Sequence, residues 1–372
     1  MRIRRENIGD ISYESTYCEV DLSGVDLSNL DIRDYRSISS NGAEYKKISA
    51  PLTITVNITD LCSLNCSFCF YPFKSQGRII SDETISSIVE YVDQSSIYEV
   101  DILGGEPFHP KVIDKTIKLI NKLSQTASIQ RIYISTNGIS IKENIKKIKE
   151  ILSEKVLLSV SLQATSLDIN DKICSSFTTN KVLEGIKLLE ENKVDYCITT
   201  VFLKDNLEEI KNDFLDFINK LKYCSAWLWH YPTVVKNNSK ILESIISPQS
   251  FFNEYTFIKD KCNKPLLTDF PFAYYPKKSL PPSTPLEEIL CICPAKYQKV
   301  EIMPNGDVYP CILLNESKYL LGNINSGFAT KPELIDAKTR CKNKECDYSY
   351  FCSGCPAYRN NWGKDNRCIG YK

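Results

Sequence analysis

Between Pro51 and Pro232 the chain repeats one pattern: a short apolar run, then a longer stretch whose apolar residues fall three and four apart. The runs are 52–58, 99–103, 131–136, 156–162, 196–203 and 226–231. Ile85, Ile88, Val89 and Val92 sit at i, i+3, i+4 and i+7, one face of an α-helix. Val112, Ile113, Ile117 and Ile120 repeat the stripe, as do Ile145, Ile148 and Leu152, and Leu183, Ile186 and Leu189. Strand–helix units in series build a parallel sheet, because a parallel neighbour needs a long crossover. Six such units predict an α/β fold, a partial (β/α)6 TIM-like barrel open on one side.

Barrels of this kind carry their chemistry on the loops that leave the strands' C-terminal ends. The first of those loops is Thr59 to Tyr71, TDLCSLNCSFCFY, with Cys62, Cys66 and Cys69 spaced Cys-x3-Cys-x2-Cys. Three thiolates so close in sequence wrap one face of a metal centre but do not fill four positions. The spacing points to a 4Fe–4S cluster with one iron left open. A zinc site lacking its fourth ligand and incidental buried thiols are the alternatives.

Sixteen cysteines in 372 residues need an explanation. The opening MRIRRENIGD is charged and no apolar run follows it, so no signal peptide is expected. Without a secretory signal, metal or redox use outranks a disulfide framework. A cytoplasmic, reducing compartment is the expectation. Lys+Arg and Asp+Glu both number 46, so no basic excess argues for nucleic acid or a membrane surface. Cys18, Cys174, Cys197, Cys224 and Cys262 are scattered and read as ordinary small residues.

The cysteine loop resembles that of the radical S-adenosylmethionine (SAM) superfamily. There the three cysteines hold the cluster and SAM chelates the fourth iron. Phe68 matches the aromatic before the last cysteine, and Tyr71 stands with it as a candidate cofactor contact. Gly104-Gly105-Glu106-Pro107, after the second strand, matches the family's turn that holds the SAM amino group through backbone and Glu. Thr136-Asn137-Gly138, after the third, matches the turn near the SAM ribose. Ser161 fits the motif after the fourth strand, but Gln163 and Ala164 depart from it. The Arg that pairs with the SAM carboxylate in many relatives has no counterpart in Asn170-Asp-Lys-Ile-Cys174. Lys172 is the nearby cation, out of register. His109 reads as a cap or packing residue, and His230, facing the barrel mouth, as a packing residue first and a contact to substrate or SAM second.

Outside the barrel, residues 1–50 read as an N-terminal hairpin around Gly9 followed by loop, and 236–286 as a proline-rich connector containing one helix over 247–260. Residues 287–372 hold Cys291, Cys293, Cys311, Cys341, Cys346, Cys352, Cys355 and Cys368, and Asn305-Gly306 marks a hairpin turn. Eight cysteines ligate two further clusters, or zinc in four-cysteine sites. The field resembles the SPASM extension of radical SAM enzymes, with small departures in spacing. That resemblance implies Cys293, Cys311 and Cys355, with Cys291, around one auxiliary cluster. It implies Cys341, Cys346, Cys352 and Cys368 around another, making three 4Fe–4S clusters in all.

Most SPASM enzymes modify peptides or proteins. The resemblance therefore implies a maturase that abstracts hydrogen from a ribosomally made peptide and forms a thioether or carbon–carbon crosslink. Its partners would be the precursor peptide and an electron donor such as flavodoxin or ferredoxin, with no nucleic acid and no membrane. Residues 2–13 offer an edge strand to which the peptide adds. An anaerobic sulfatase-maturing enzyme is the rival within the family. Ile312, however, follows Cys311 where those enzymes carry an Asp base. A non-enzymatic metal-binding module is the reading from another class.

Overall fold

A computed structural model describes residues 2–6, 9–13, 50–71, 76–234, 241–268, 295, 299–329, 355 and 357–358. The N-terminal strands β1 (Arg2–Glu6) and β2 (Gly9–Tyr13) pair antiparallel, with Glu6 opposite Gly9, as the hairpin expectation requires.

The alternating core runs β3 (Thr53–Asn57), α1 (Asp82–Gln94), β4 (Glu99–Leu103), α2 (Ile113–Gln125), β5 (Arg131–Thr136), α3 (Ile141–Ile151) and β6 (Val156–Ser161). Next come α4 (Leu167–Cys174), α5 (Thr179–Glu191) and β7 (Tyr196–Val201). Helix α6 then runs through Leu207–Glu209, a π-helical turn Ile210–Phe214 and Leu215–Lys220, and leads into β8 (Cys224–His230). Sequence patterning places all six strands, but α4 and α6 carry no clear stripe. Helix α1 starts where Ser81 accepts a hydrogen bond from the Thr84 amide, with Asp82 and Glu83 in its first turn. The cap satisfies an orphan amide and the acids suit the positive helix end.

Two further strands extend the parallel sheet. After α7 (Pro248–Lys259), β9 (Leu266–Thr268) pairs parallel with β8, inside the stretch expected to be only connector. Pro265 precedes this strand and does not interrupt it; its carbonyl accepts from the Trp227 amide. At the other edge β10 (Lys299–Ile302) pairs parallel with β3. β11 (Asp307–Tyr309), β12 (Gly322–Asn323) and β13 (Gly327–Phe328) continue antiparallel, so one sheet of 11 strands runs β13-β12-β11-β10-β3-β4-β5-β6-β7-β8-β9. The β10–β11 hairpin turns on Met303–Gly306 rather than on a bare two-residue loop. The Gly306 amide donates to the Met303 carbonyl at 2.8 Å, and Gly306 takes the left-handed φ of 86° that this turn demands.

The two sheet faces differ in chemistry. Ile54, Val56, Val100, Ile102, Ile132, Ile134, Leu158, Val160 and Ile198 face the helices and are fully buried. Each such side chain contributes roughly 1.5–3 kcal/mol of burial. The alternate residues face inward and include Thr55, Asn57, Asp101, Tyr133, Ser159, Thr199 and Glu301. The barrel is thus apolar outside and mixed within, where Leu157, Cys197, Ala226, Leu228 and Leu267 form an apolar cluster beside these polar residues.

Candidate active site at the mouth of the barrel

The cysteine loop leaves β3 clamped at its root. The Asp60 amide donates to the Arg78 carbonyl at 2.9 Å, and the Ile80 amide to the Ile58 carbonyl at 3.0 Å, so the returning chain pairs with the outgoing one. The fully buried Asp60 carboxylate accepts from Arg78 Nε at 2.6 Å and from the Tyr71 hydroxyl at 2.7 Å. Burial, then the Asp60 charge, pushes the Tyr71 phenol well above its ordinary range. Tyr71 therefore helps close the loop on itself. Neither Asp60 nor Arg78 stood out in the sequence, since an acid two residues before a cysteine carries no periodic signal.

Within the loop Cys62, Cys66 and Cys69 are half-buried. The Ser67 amide donates to the Ile173 carbonyl at 2.9 Å, which pins the loop to the end of α4. Asn137 Nδ2 lies 3.9 Å from Cys62 Sγ, bringing the Thr-Asn-Gly turn beside the first thiol. Among the described residues no three His, Cys, Asp or Glu side chains close on a single-ion position. The fit to an iron–sulfur cluster rests on donor chemistry: three soft thiolates on one loop, clamped at its base and partly open to solvent.

The Gly-Gly-Glu-Pro turn packs directly against the cysteine loop. A Cβ on Gly105 would stand 2.0 Å from the Leu61 carbonyl oxygen, and one on Gly104 2.6 Å from that of Thr59. The amides of Gly105 and Glu106 donate to the same two carbonyls at 2.7 Å. The glycines thus let two backbones touch. Glu106 is buried, and its carboxylate accepts from the Phe108 amide, the Thr136 hydroxyl and the Asn137 amide at 2.6–2.8 Å. Burial pushes its carboxyl above the ordinary range although these donors oppose the shift. Glu106 thereby ties the turns after β4 and β5 together, and Thr136 spends its proton on it.

Ser161, at the end of β6, accepts from Gln163 Nε2 at 2.8 Å. Gln163 is fully buried and its Oε1 accepts from the Val201 amide at 2.7 Å, so the residue that departs from the family motif bridges β6 to β7. The following loop is held by Glu209, whose Oε1 accepts from the Thr165 and Ser166 amides. Lys172 is exposed and pairs with Asp205 at 2.6 Å. His109 Nδ1 accepts from the Lys111 amide at 3.2 Å, the capping role expected of it.

Phe68 packs into a small apolar cluster with Ile173, Leu203, Val234, Ile241 and Tyr358, and Cys355 and Leu313 pack against the same cluster. Cys311 and Cys355, 44 residues apart (355 minus 311), both pack against a second cluster of Ala295, Leu314, Tyr319 and Ala357. Cys291, Cys293, Cys341, Cys346, Cys352 and Cys368 lie outside the described residues.

The family model of the Radical SAM superfamily matches residues 56–217, and these residues form a radical SAM domain. A curated relative, the GTP 3′,8-cyclase of Aquifex aeolicus (strain VF5), is 22% identical over 305 residues, covering 79% of this chain and 92% of its own length. Streptococcus suis SuiB bound to precursor peptide SuiA matches with a TM-score of 0.71 at 23% identity, over 88% of this chain and 77% of that one. Native anSMEcpe with bound AdoMet and Cp18Cys peptide matches with a TM-score of 0.62 at 21% identity, over 85% of this chain and 92% of that one. At these identities the two solved structures establish the fold, an α/β partial barrel. No helix among the described residues is long and apolar enough to cross a membrane.

Proposed function

We propose that this chain is a radical SAM maturase with a SPASM extension, acting on a ribosomally made peptide to form a thioether or carbon–carbon crosslink. The observation that carries the reading is the match over 88% of the chain to SuiB, a fold solved with its precursor peptide. Cys62, Cys66 and Cys69 hold the SAM cluster. With SAM bound, that cluster supplies reductive cleavage to a carbon radical able to take hydrogen from an unactivated carbon.

The chain's own residues then position and enclose. The Asp60–Arg78–Tyr71 clamp fixes the loop. The backbone of Gly104, Gly105 and Glu106 holds the SAM amino group, and Thr136, Asn137, Ser161, Phe68 and Tyr71 line the rest of the cofactor site. Cys311 and Cys355, with Cys291 and Cys293, hold one auxiliary cluster, and Cys341, Cys346, Cys352 and Cys368 the other. The peptide adds to the β1–β2 hairpin, and flavodoxin or ferredoxin supplies electrons.

The likeness to GTP 3′,8-cyclase supports a second reading, with a nucleotide substrate. The inner face of the barrel argues against it. On that face Lys299 is engaged by Asp101 at 2.7 Å, and Glu301 lies on the same strand. A triphosphate would meet acids there.

Anaerobic incubation of the reconstituted protein with SAM, reductant and either the short peptide encoded beside the gene or GTP separates the readings by mass spectrometry. Loss of two hydrogens from the peptide, dependent on Cys62, Cys66 and Cys69, is the expected result. A product from GTP with an unchanged peptide overturns it.

A further inference from the structure

Glu301 is a buried carboxylate set between the strand that leads into the first cysteine loop and the hairpin that leads into Cys311. On one side Asn57 Nδ2 donates to Glu301 Oε1 at 2.8 Å, across the parallel pairing of β10 with β3. Asn57 ends β3, five residues before Cys62 (62 minus 57). It also abuts the Gly-Gly-Glu-Pro turn, since a Cβ on Gly104 would stand 3.3 Å from the Asn57 Cα. On the other side Glu301 is in register with Tyr309 across the β10–β11 hairpin, and Cys311 follows two residues after Tyr309. Tyr309 and Cys311 pack against the same apolar cluster, and the Ile312 amide acts as a further donor to the Glu301 carboxylate.

Nothing in the sheet itself asks for an acid at this position. Val300 and Ile302 beside it join the apolar core. An inward position on a barrel strand is ordinarily filled by a branched apolar side chain. A carboxylate taken out of water is costly and persists only where donors hold it. Burial pushes the Glu301 carboxyl above its ordinary range, while Lys299, Asn57 and the Ile312 amide oppose that shift. Lys299 is itself fixed by Asp101 at 2.7 Å. The carboxylate also reaches the clamp of the cysteine loop: after burial and Asp60, its charge adds to the upward shift of the Tyr71 phenol. One buried acid thus touches the root of the first loop and the approach to Cys311.

We propose that Glu301 is a positioning residue for two iron sites at once, holding the root of the Cys62, Cys66 and Cys69 loop and the segment of Cys311 in one geometry through its bond to Asn57. The inference rests on the reading of Cys311 as an auxiliary-cluster ligand. Groups that orient ligand-bearing segments without touching the metal act on how firmly the metal is kept. Glu301 carries no electron and no proton in this role. Because one carboxylate serves both segments, displacing it disturbs both, although Asn57 and Cys311 lie in separate parts of the sequence.

The test follows iron loss to a chelator in the reconstituted full chain. The first cluster is read by the change in its electron paramagnetic resonance signal on adding SAM. The C-terminal iron is read in the same chain carrying Cys62→Ala, Cys66→Ala and Cys69→Ala. Glu301→Leu leaves the Asn57 amide without its acceptor and should speed iron loss roughly tenfold at both sites. Asn57→Asp sets two carboxylates together and should also speed it at both. Asn57→Asp combined with Glu301→Gln restores the hydrogen bond with donor and acceptor exchanged and leaves the buried charge unchanged, so it should recover most of the retention. Ile148→Ala opens a core cavity in α3 and should lower the melting temperature without speeding iron loss. Faster loss confined to one site, equal loss from Ile148→Ala, or an exchanged pair no better than the single variants each overturns the proposal. Absence of C-terminal iron with Glu301 intact overturns instead the reading of Cys311 as a ligand, and the shared role of Glu301 with it.

Discussion

Arg78 Nε lies 2.6 Å from Asp60 Oδ2, and Asp60 is fully buried while the Arg78 side chain keeps 25% of its exposure. The pair joins the two ends of the cysteine loop two residues before its first thiol. Groups that orient metal ligands without touching the metal typically matter about 10–100-fold in affinity. Asp60→Asn should weaken iron retention against a chelator by roughly tenfold. Arg78→Lys should do nearly the same, because an ammonium does not reproduce the two-pronged contact at Nε and Nη2. Unchanged iron retention in both variants would remove the clamp from the account.

Gly105 is the tightest point of the site. Alanine there places a methyl 2.0 Å from a carbonyl oxygen of Leu61, a backbone atom that moves only if the cysteine loop moves. Overpacking of this kind costs about 1–3 kcal/mol or more. Gly327→Ala is the control: nothing lies within 4 Å of the new methyl, and only the φ of 104° is strained. Denaturant unfolding should show a clearly larger loss for Gly105→Ala, accompanied by lower iron content, and Gly327→Ala should bind iron normally.

The six strands were legible because each apolar run is bounded by loop residues and followed by a helical stripe. The hairpin around Asn305-Gly306 was legible too, but the parallel pairings that add β9 and β10 to the sheet were not. Leu266–Thr268 is three residues long and sits among prolines, and Lys299–Ile302 alternates charge with apolar residues because its inner face meets Asp101 and Asn57. Both become strands through partners, β8 and β3, that lie far away in sequence. The cysteine spacing and the two turns located the mouth of the barrel. What the spacing hid was the division of labour: Glu106 and Thr136 bind each other, Tyr71 binds Asp60, and Gln163 replaces a motif residue as a bridge. These are contacts between chain segments, and periodicity carries none of them.

Glu106 sets a pH dependence with a definite sign. Its carboxyl is shifted above the ordinary value of 4.5, chiefly by burial. An acid raised in the folded state contributes most below its unfolded pKa, and that contribution is lost as pH rises through the folded one. Wild-type stability should therefore carry a component that falls as pH rises from 4.5. Glu106→Gln should abolish this component. The amide also turns one acceptor into a donor facing Asn137 or Phe108, which should cost about 1–3 kcal/mol. Urea midpoints measured across pH for both proteins check the sign, and a slope that survives in Glu106→Gln would assign it elsewhere.

Lys172 offers a cleaner negative. Its exposed ammonium is already paired with Asp205. Lys172→Ala should leave SAM cleavage and SAM affinity unchanged. A rise in the SAM dissociation constant would return this lysine to the carboxylate contact that the missing arginine leaves open.

Phe68 separates two roles that its position next to Cys69 confounds. Its ring packs against Ile173, Leu203 and Tyr358, in the cluster that Cys355 also touches. Packing of that kind predicts that Phe68→Ala lowers the melting temperature of the protein without SAM, by an amount worth about 1–3 kcal/mol for a half-buried ring. The Val234 amide donates to the Tyr358 hydroxyl at 3.0 Å, so the loss should also loosen Tyr358 in that cluster. A pure cofactor contact predicts the opposite pattern: an unchanged melting temperature without SAM and a raised SAM dissociation constant. Calorimetry with and without SAM on the same variant decides between them, and Phe68→Leu, which keeps the apolar bulk but not the ring, should restore the melting temperature if packing is the cause.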